Sequence, residues 1–182
     1  MLDGVHEVAR PEDPLDEDAG EVDLVRVEVA DLHDLLGLDR TPLEAAALRH
    51  QILPERYIRN TQSLSIADQR VLLESSACII GVGGLGGTVA EVLARVGIGA
   101  LHLVDGDCFE EHNLNRQRFA HIGNLGQPKS QSAKAAIARI NPAATIKASP
   151  VFLTAANAAD LIGSADVVID CLDRLDSRLV LQ

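Results

Sequence analysis

The sequence predicts an α/β fold in which helices flank a mostly parallel sheet, preceded by a helical N-terminal extension. Three observations predict it. From residue 75 onward, short apolar runs alternate with segments of helical spacing, a pattern that right-handed crossovers turn into a parallel sheet. Hydrophobic residues make up 47% of the chain and aromatics only 2%, so the core must be Ala, Val, Leu and Ile, as suits helices laid on a buried sheet. A glycine cluster at 81–87 follows an apolar run and opens a helical one, the junction at which such sheets hold ligands.

The chain has 182 residues, enough for one domain of roughly 150 residues plus an appendage. Residues 1–23 hold nine acids and one base, and the remainder 18 acids and 15 bases. The net charge of −11 therefore describes mostly an acidic leader, expected to be disordered and solvated. An extension follows at 24–55, and the main domain at 56–182. Residues 24–37 fit a short strand or a helix. Thr41-Pro42-Leu43-Glu44 reads as a helix start, with Thr41 as N-cap, Pro42 at the first helical position and Glu44 closing a capping box. That helix runs over 43–53 and stops before Pro54.

In the main domain, strands are expected at 77–81, 100–105, 145–148 and 167–170. Helices are expected at 85–96 (closed by Gly97), at 128–140 (opened by Pro128) and at 154–162 (capped by Thr154). Asp173 fits the N-cap of a last helix over 174–181. The strand ends put Gly81, Asp105 and Asp170 at the ligand-binding edge of the sheet.

An acidic balance argues against a nucleic-acid surface. The three cysteines, Cys78, Cys108 and Cys171, include no C-x-x-C pair. Neither a disulfide framework nor a zinc site is expected from them, and the pattern fits a reducing cytoplasm. Cys171 reads as a small core residue, and Cys108, in a polar loop, as the better reactive thiol. His102 alternates with Leu101 and Leu103 and reads as structural. No apolar run reaches 18 residues and the N-terminus is acidic, so neither a membrane span nor a signal peptide is expected.

Gly81-Val82-Gly83-Gly84-Leu85-Gly86 matches G-x-G-x-x-G, which makes the sheet Rossmann-like: glycine lets the backbone turn tightly and approach a phosphate, and helix-start N–H groups face the anion. Asp105, 24 positions after Gly81, suits ribose hydroxyls. To this point an NAD-dependent dehydrogenase fits equally well. The next segment carries Asp107, Asn113, Arg116, Gln117 and Lys129. A triphosphate needs fixed cations to hold it and to stabilise departing pyrophosphate. Arg116 offers a planar fork, and Lys129 a point charge at a helix start. Asp173, past the fourth strand, suits Mg²⁺ bridging to phosphate oxygens.

These residues resemble the ubiquitin-activating-enzyme-like adenylyltransferases, the ThiF/MoeB/HesA family. The matching segments are Arg56-Tyr57-Ile58-Arg59, GVGGLGG (81–87), VDGD (104–107), NLNRQ (113–117), GQPK (126–129), INP (140–142) and DCLD (170–173), in order across about 125 residues. The resemblance implies ATP and Mg²⁺ as ligands. Gly81, Gly83, Gly84 and Gly86 would form the nucleotide loop, with Asp107 and Gln117 beside it, and Asp105 would hold the ribose. Asn113, Arg116 and Lys129 would contact phosphates, and Asp173 would organise Mg²⁺. Arg59 would reach into a neighbouring subunit's site, which implies a homodimer. The implied reaction is attack of the Gly-Gly carboxylate of a ThiS/MoaD-type ubiquitin-like sulfur carrier on the ATP α-phosphate. Departures are Asn60 where the family has Gln, Arg174 where Asn is common, and His112 at a position often small. Relatives continue past the position of Gln182, so the chain is expected to be the nucleotide-binding half of the family domain. A tRNA-modifying ATP-dependent dehydratase and a non-catalytic scaffold remain the alternatives.

Overall fold

The computed structural model describes residues 25–27, 37 and 39–181. The acidic leader and most of 24–36 lie outside them. Strand β1 (Val25–Val27) pairs parallel to β2 (Ile52–Pro54), and helix α1 (Arg40–Arg49) lies between them. β1 takes the strand option open for 24–37, and β2 is a second short strand beside the expected helix.

Helix α1 begins earlier than the capping-box reading places it, at Arg40 after Asp39, and no side chain caps it. The box fails because tertiary partners claim both of its members. The Thr41 hydroxyl donates to the Ala143 carbonyl, and Glu44 is fully buried beneath Tyr57 and Arg56. The helix also ends earlier, at Arg49. Gln51 takes a left-handed φ of 60°, and the chain straightens into β2, as the residue before Pro54 favours.

A 3-10 segment (Glu55–Gln62) leads to α2 (Ile66–Glu74), a helix beyond those the sequence predicts. Its signal was present: the Ser65 hydroxyl accepts from the Asp68 N–H at 3.1 Å, and the Asp68 carboxylate accepts from the Ser65 N–H at 3.0 Å, a reciprocal capping box.

The main sheet contains β3 (Ser76–Ile80), β4 (Ala100–Val104), β5 (Thr145–Ser149) and β6 (Val167–Asp170). All pairings are parallel, in the order β5-β4-β3-β6. Helix α3 (Gly84–Val96) links β3 to β4, and α4 (Lys129–Ile140) links β4 to β5. Both cover one face, where Ile79, Leu101 and Leu103 meet Ala90, Ala94 and Ile137. The opposite face, with Cys78, Ile80 and Val104, is covered by Leu161 of α5 (Ala158–Ile162). Asn157 occupies the N-cap position of α5 in place of the expected Thr154, so the helix is shorter than predicted. The last helix, α6 (Leu175–Arg178), has Arg174 at its N-cap position with no side-chain cap. Asp173 does not take the capping role that was open to it.

The chain reverses its direction of travel across the sheet between β3 and β6. Ile80 pairs with both Val104 and Asp170, so the carboxyl ends of three strands finish level at this switch point. In open parallel sheets ligands bind at such a point.

The extension is wired to the domain by R-Y-x-R and I-N-P. Tyr57 is fully buried, and its hydroxyl donates to Glu44 Oε2 at 2.9 Å and accepts from Asn141 Nδ2 at 3.1 Å. Arg56 Nη1 donates to Asn141 Oδ1 at 2.8 Å and lies 3.0 Å from Glu44 Oε1 as an ion pair without an aligned hydrogen bond. Burial raises the Glu44 carboxyl above its usual range, with Arg56 pulling the other way. Burial also pushes the Tyr57 hydroxyl up. Asn60, the departure from the family's Gln, donates to Gln69 Oε1 and to the Val96 carbonyl at the end of α3.

Candidate nucleotide site

The glycines of the loop divide into two kinds. Gly81 takes φ 91°, and a Cβ there would stand 2.8 Å from the Cys171 carbonyl oxygen. A Cβ on Gly86 would stand 1.8 Å from the Gly81 carbonyl oxygen. The chain itself requires these two. Gly83 and Gly84 have room: a Cβ would meet nothing closer than 3.7 Å and 3.6 Å. Their smoothness keeps the outer side of the loop clear. Gly83 is the N-cap of α3 and supplies no side chain to cap the first-turn N–H groups. Bare amides with a positive helix end and no Cβ in the way fit a phosphate.

Asp105 braces this loop. Its Oδ2 accepts from the Val82 N–H at 2.7 Å, and its Oδ1 from the Asp107 N–H at 2.8 Å. Burial pushes its carboxyl above the usual range, while those bonds and Lys129 pull it down. Each oxygen keeps one further lone pair for a ribose hydroxyl.

Lys129 opens α4 with its side chain only 9% exposed. Its Nζ sits 3.1 Å from Asp107 Oδ2, and its N–H donates to the Asp107 carbonyl at 2.9 Å. A continuous run of hydrogen bonds therefore joins the ammonium to Val82 through Asp107 and Asp105.

Arg116 is exposed, and its Nη1 donates to the His112 carbonyl at 2.8 Å. Its backbone borders Gly84. Asn113 is buried, and its Oδ1 accepts from the Glu110 N–H at 3.0 Å, which closes the turn that presents Arg116. Gln117 is buried beside Gly83, and among the described residues its Oε1 has no hydrogen-bond partner.

Asp173 is exposed, two positions past Cys171, whose carbonyl abuts Gly81. Among the described residues no group of three or more acids, His or Cys is placed to hold a metal. A lone carboxylate suits an ion carried in on a triphosphate, since Mg²⁺ keeps most of its ligands from water and phosphate.

Arg59 is not brought to this loop. Its segment packs at the C-terminal end of α3, where Asn60 caps Val96. The glycine loop lies at the other end, roughly 20 Å away for a 13-residue helix. Arg59 is exposed, with no hydrogen bond or ion pair among the described residues.

Sequence reasoning missed the clamp that holds the Arg116 loop to α3. Arg118 donates to both carboxylate oxygens of Glu91. Those bonds, with help from Arg95, hold the Glu91 carboxyl down at about 2. Glu91 and Arg95 stand four apart on one helix, which a sequence can reveal, but Arg118 is 27 positions away. Of the thiols, Cys108 is exposed, and burial pushes Cys78 up to about 11 and raises Cys171. His102 bonds Ser149 Oγ at 2.8 Å and is half-buried.

A family model described as the ThiF family matches residues 56–182. The molybdopterin-synthase adenylyltransferase of Escherichia coli is 40% identical over 110 residues, 60% of this chain and 44% of that protein. The adenylyltransferase and sulfurtransferase UBA4 of Eremothecium gossypii is 40% identical over 116 residues, 64% of this chain and 26% of that one. Among solved structures, the E. coli tRNA N6-threonylcarbamoyladenosine dehydratase TcdA in complex with ATP matches with a TM-score of 0.68 at 30% identity, covering 70% of this chain and 53% of that one. The chain spans between about a quarter and about a half of the length of these relatives.

Proposed function

The chain belongs to the ThiF family, and we propose that it holds ATP at the glycine loop and contributes to adenylating the C-terminal Gly-Gly carboxylate of a ubiquitin-like sulfur carrier. The observation that carries this reading is the bonded run from Lys129 through Asp107 and Asp105 to Val82. It ties a nearly buried cation to the glycine loop, where a dinucleotide would need none. The molybdopterin-synthase and UBA4 relatives are adenylyltransferases by name, which supports the reaction class.

In this reading the α3 amides, Asn113, Arg116 and Lys129 hold the phosphates, Gln117 lies beside them, and Asp105 keeps the ribose. A carboxylate oxygen of the carrier attacks the α-phosphorus. The new acyl–phosphate bond forms as the bond to pyrophosphate breaks, and no proton or electron changes hands. Lys129 and Arg116 offset the charge that gathers on pyrophosphate. Mg²⁺, held by Asp173, would neutralise phosphate oxygens. Arg59 acts from the partner of a homodimer, because its own loop is about a helix length away. The free thiols accord with a reducing compartment such as the cytoplasm.

Equilibrium titration of this chain should detect ATP–Mg²⁺ binding and little NAD binding; tighter NAD binding overturns the reading. In the longer protein, Arg59→Ala should abolish most carrier-dependent ATP–pyrophosphate exchange. Mixing it with an Asp173→Ala chain should restore part, since one mixed site keeps both native residues. Absence of rescue after confirmed subunit exchange would return Arg59 to its own chain. The likeness to TcdA favours a second reading, an ATP-dependent dehydratase acting on modified tRNA. Consumption of such a tRNA, with no exchange on any carrier, would select it.

A further inference from the structure

The chain has four aromatic rings. Tyr57, Phe109 and Phe119 are buried in the core, whereas Phe152 is 63% exposed. An exposed phenyl ring gains nothing from burial, so its setting matters. Phe152 stands three residues beyond the end of β5, at the ligand-binding edge of the sheet. The ends of β4 and β5 are tied there by the Asp105 N–H, which donates to the Ser149 carbonyl at 3.2 Å.

The ring rests on Gly106. A Cβ at that glycine would lie 2.5 Å from the ring's Cγ and 2.7 Å from each Cδ. Only glycine lets the ring settle onto the backbone beside Asp105. The segment is also held from behind. Asn157 Nδ2 donates to the Phe152 carbonyl at 3.0 Å, and Asn157 Oδ1 accepts from the Thr154 N–H at 2.7 Å. One side of a fixed aromatic ring is thus seated on Gly106, while most of the ring stays open to solvent, one residue from the proposed ribose acid.

We propose that Phe152, seated on Gly106, is the stacking platform for the purine base of the bound nucleotide. The proposal rests on the ATP reading above. A ribose held by Asp105 carries its base one glycosidic bond away, within reach of the neighbouring residue's surroundings. Every base has a π-face that an aromatic ring can stack on. The platform makes the site favour a nucleoside triphosphate over a bare polyphosphate, with the phosphate contacts supplied by other residues.

Titration of ATP–Mg²⁺ and of tripolyphosphate–Mg²⁺ against the intact chain tests this. Phe152→Ala should weaken ATP binding by roughly tenfold, the scale of one lost base stack, and leave tripolyphosphate binding unchanged. Phe152→Trp should retain ATP binding. The exposed position should keep the melting temperature of both variants near that of the parent. Wild-type ATP affinity in Phe152→Ala overturns the platform and leaves the nucleotide reading standing. An equal loss for both ligands also overturns it, since Phe152 would then only brace the loop. If the parent chain binds neither ligand, the nucleotide reading falls and takes the platform with it.

Discussion

The two ends of helix α3 are treated in opposite ways. At its C-terminal end the Val96 carbonyl accepts from both Asn60 Nδ2 and Gln69 Nε2, each at 2.9 Å, and the Ala94 carbonyl accepts from Asn141 Nδ2 at 3.0 Å. Gly97 closes the helix in the left-handed region, with Tyr57 packed so tightly that a Cβ would fall 2.6 Å from its ring. At the N-terminal end Gly83 supplies no cap, Lys129 and Arg116 stand nearby, and Gln117 has an acceptor without a partner among the described residues. Helix ends leave unpaired backbone groups that something must satisfy. Where the protein satisfies them itself, the residues are framework. Where it leaves them bare beside cations, they stay open to a ligand. This contrast separates R-Y-x-R and I-N-P, which bind the extension to the fold through Arg56, Tyr57 and Asn141, from the segments of the candidate site. Arg59 alone of its motif stays out of the framework.

The contrast can be broken by substitution. The largest expected effect is that of Gly86→Ala, which sets a methyl 1.8 Å from the Gly81 carbonyl oxygen. A backbone clash of that kind should cost at least about 3 kcal/mol, measured by denaturant unfolding. A folded, ATP-binding variant would show that the loop is looser than its geometry. Next comes Asn141→Ala, which strips partners from Arg56, Tyr57 and the Ala94 carbonyl. Leaving buried polar groups unpaired should cost about 2 kcal/mol, while the ATP affinity of the folded fraction stays unchanged. A selective loss of affinity would move Asn141 from the framework to the site.

Lys129→Ala should show the converse. ATP affinity should fall by roughly tenfold or more as a charge-assisted contact disappears. Stability should change by no more than about 1 kcal/mol, because Asp107 is more than half exposed. A melting temperature far below the parent's would make Lys129 framework. The smallest effect is pH-dependent. Glu91 in the folded chain titrates at about 2, below the usual 4.5, so its clamp on Arg118 stabilises above the unfolded value. That stability is lost as pH falls through this window toward the folded value. Acid unfolding of Glu91→Gln should lack this component, and identical profiles would show that the clamp contributes nothing.

Much of the candidate site's placement in the fold was legible because its signals are local. The glycine loop, the acid at the end of β4 and the proline-lysine helix start each follow from chemistry within a few residues, and each occurs where expected. The unread parts involve partners distant in sequence. Nothing local to Glu44 shows that it will be buried under Tyr57 and Arg56, and the capping-box reading failed for that reason. The Ser65–Asp68 box was local and readable, yet it lay in a polar stretch that the strand-and-helix pattern did not reach. The clamp of Arg118 on Glu91 and the seat of Phe152 on Gly106 join residues 27 and 46 positions apart.

The α/β class, the four strands of the main sheet and the residues gathered at their carboxyl ends all follow from short stretches of sequence. Those features depend on apolar periodicity, on the backbone freedom of glycine and on helix-start chemistry, all of which act over one or two turns of chain. Tertiary structure alone decided the strand order β5-β4-β3-β6, with its switch point between β3 and β6. It also decided that Asp105 braces the glycine loop, and that Arg59 stands at the far end of α3 from the glycines. Parallel strands meet only through crossovers, and a side chain's partner is set by which elements those crossovers bring together. Such pairings depend on the packing of the whole domain, which no short window of sequence contains.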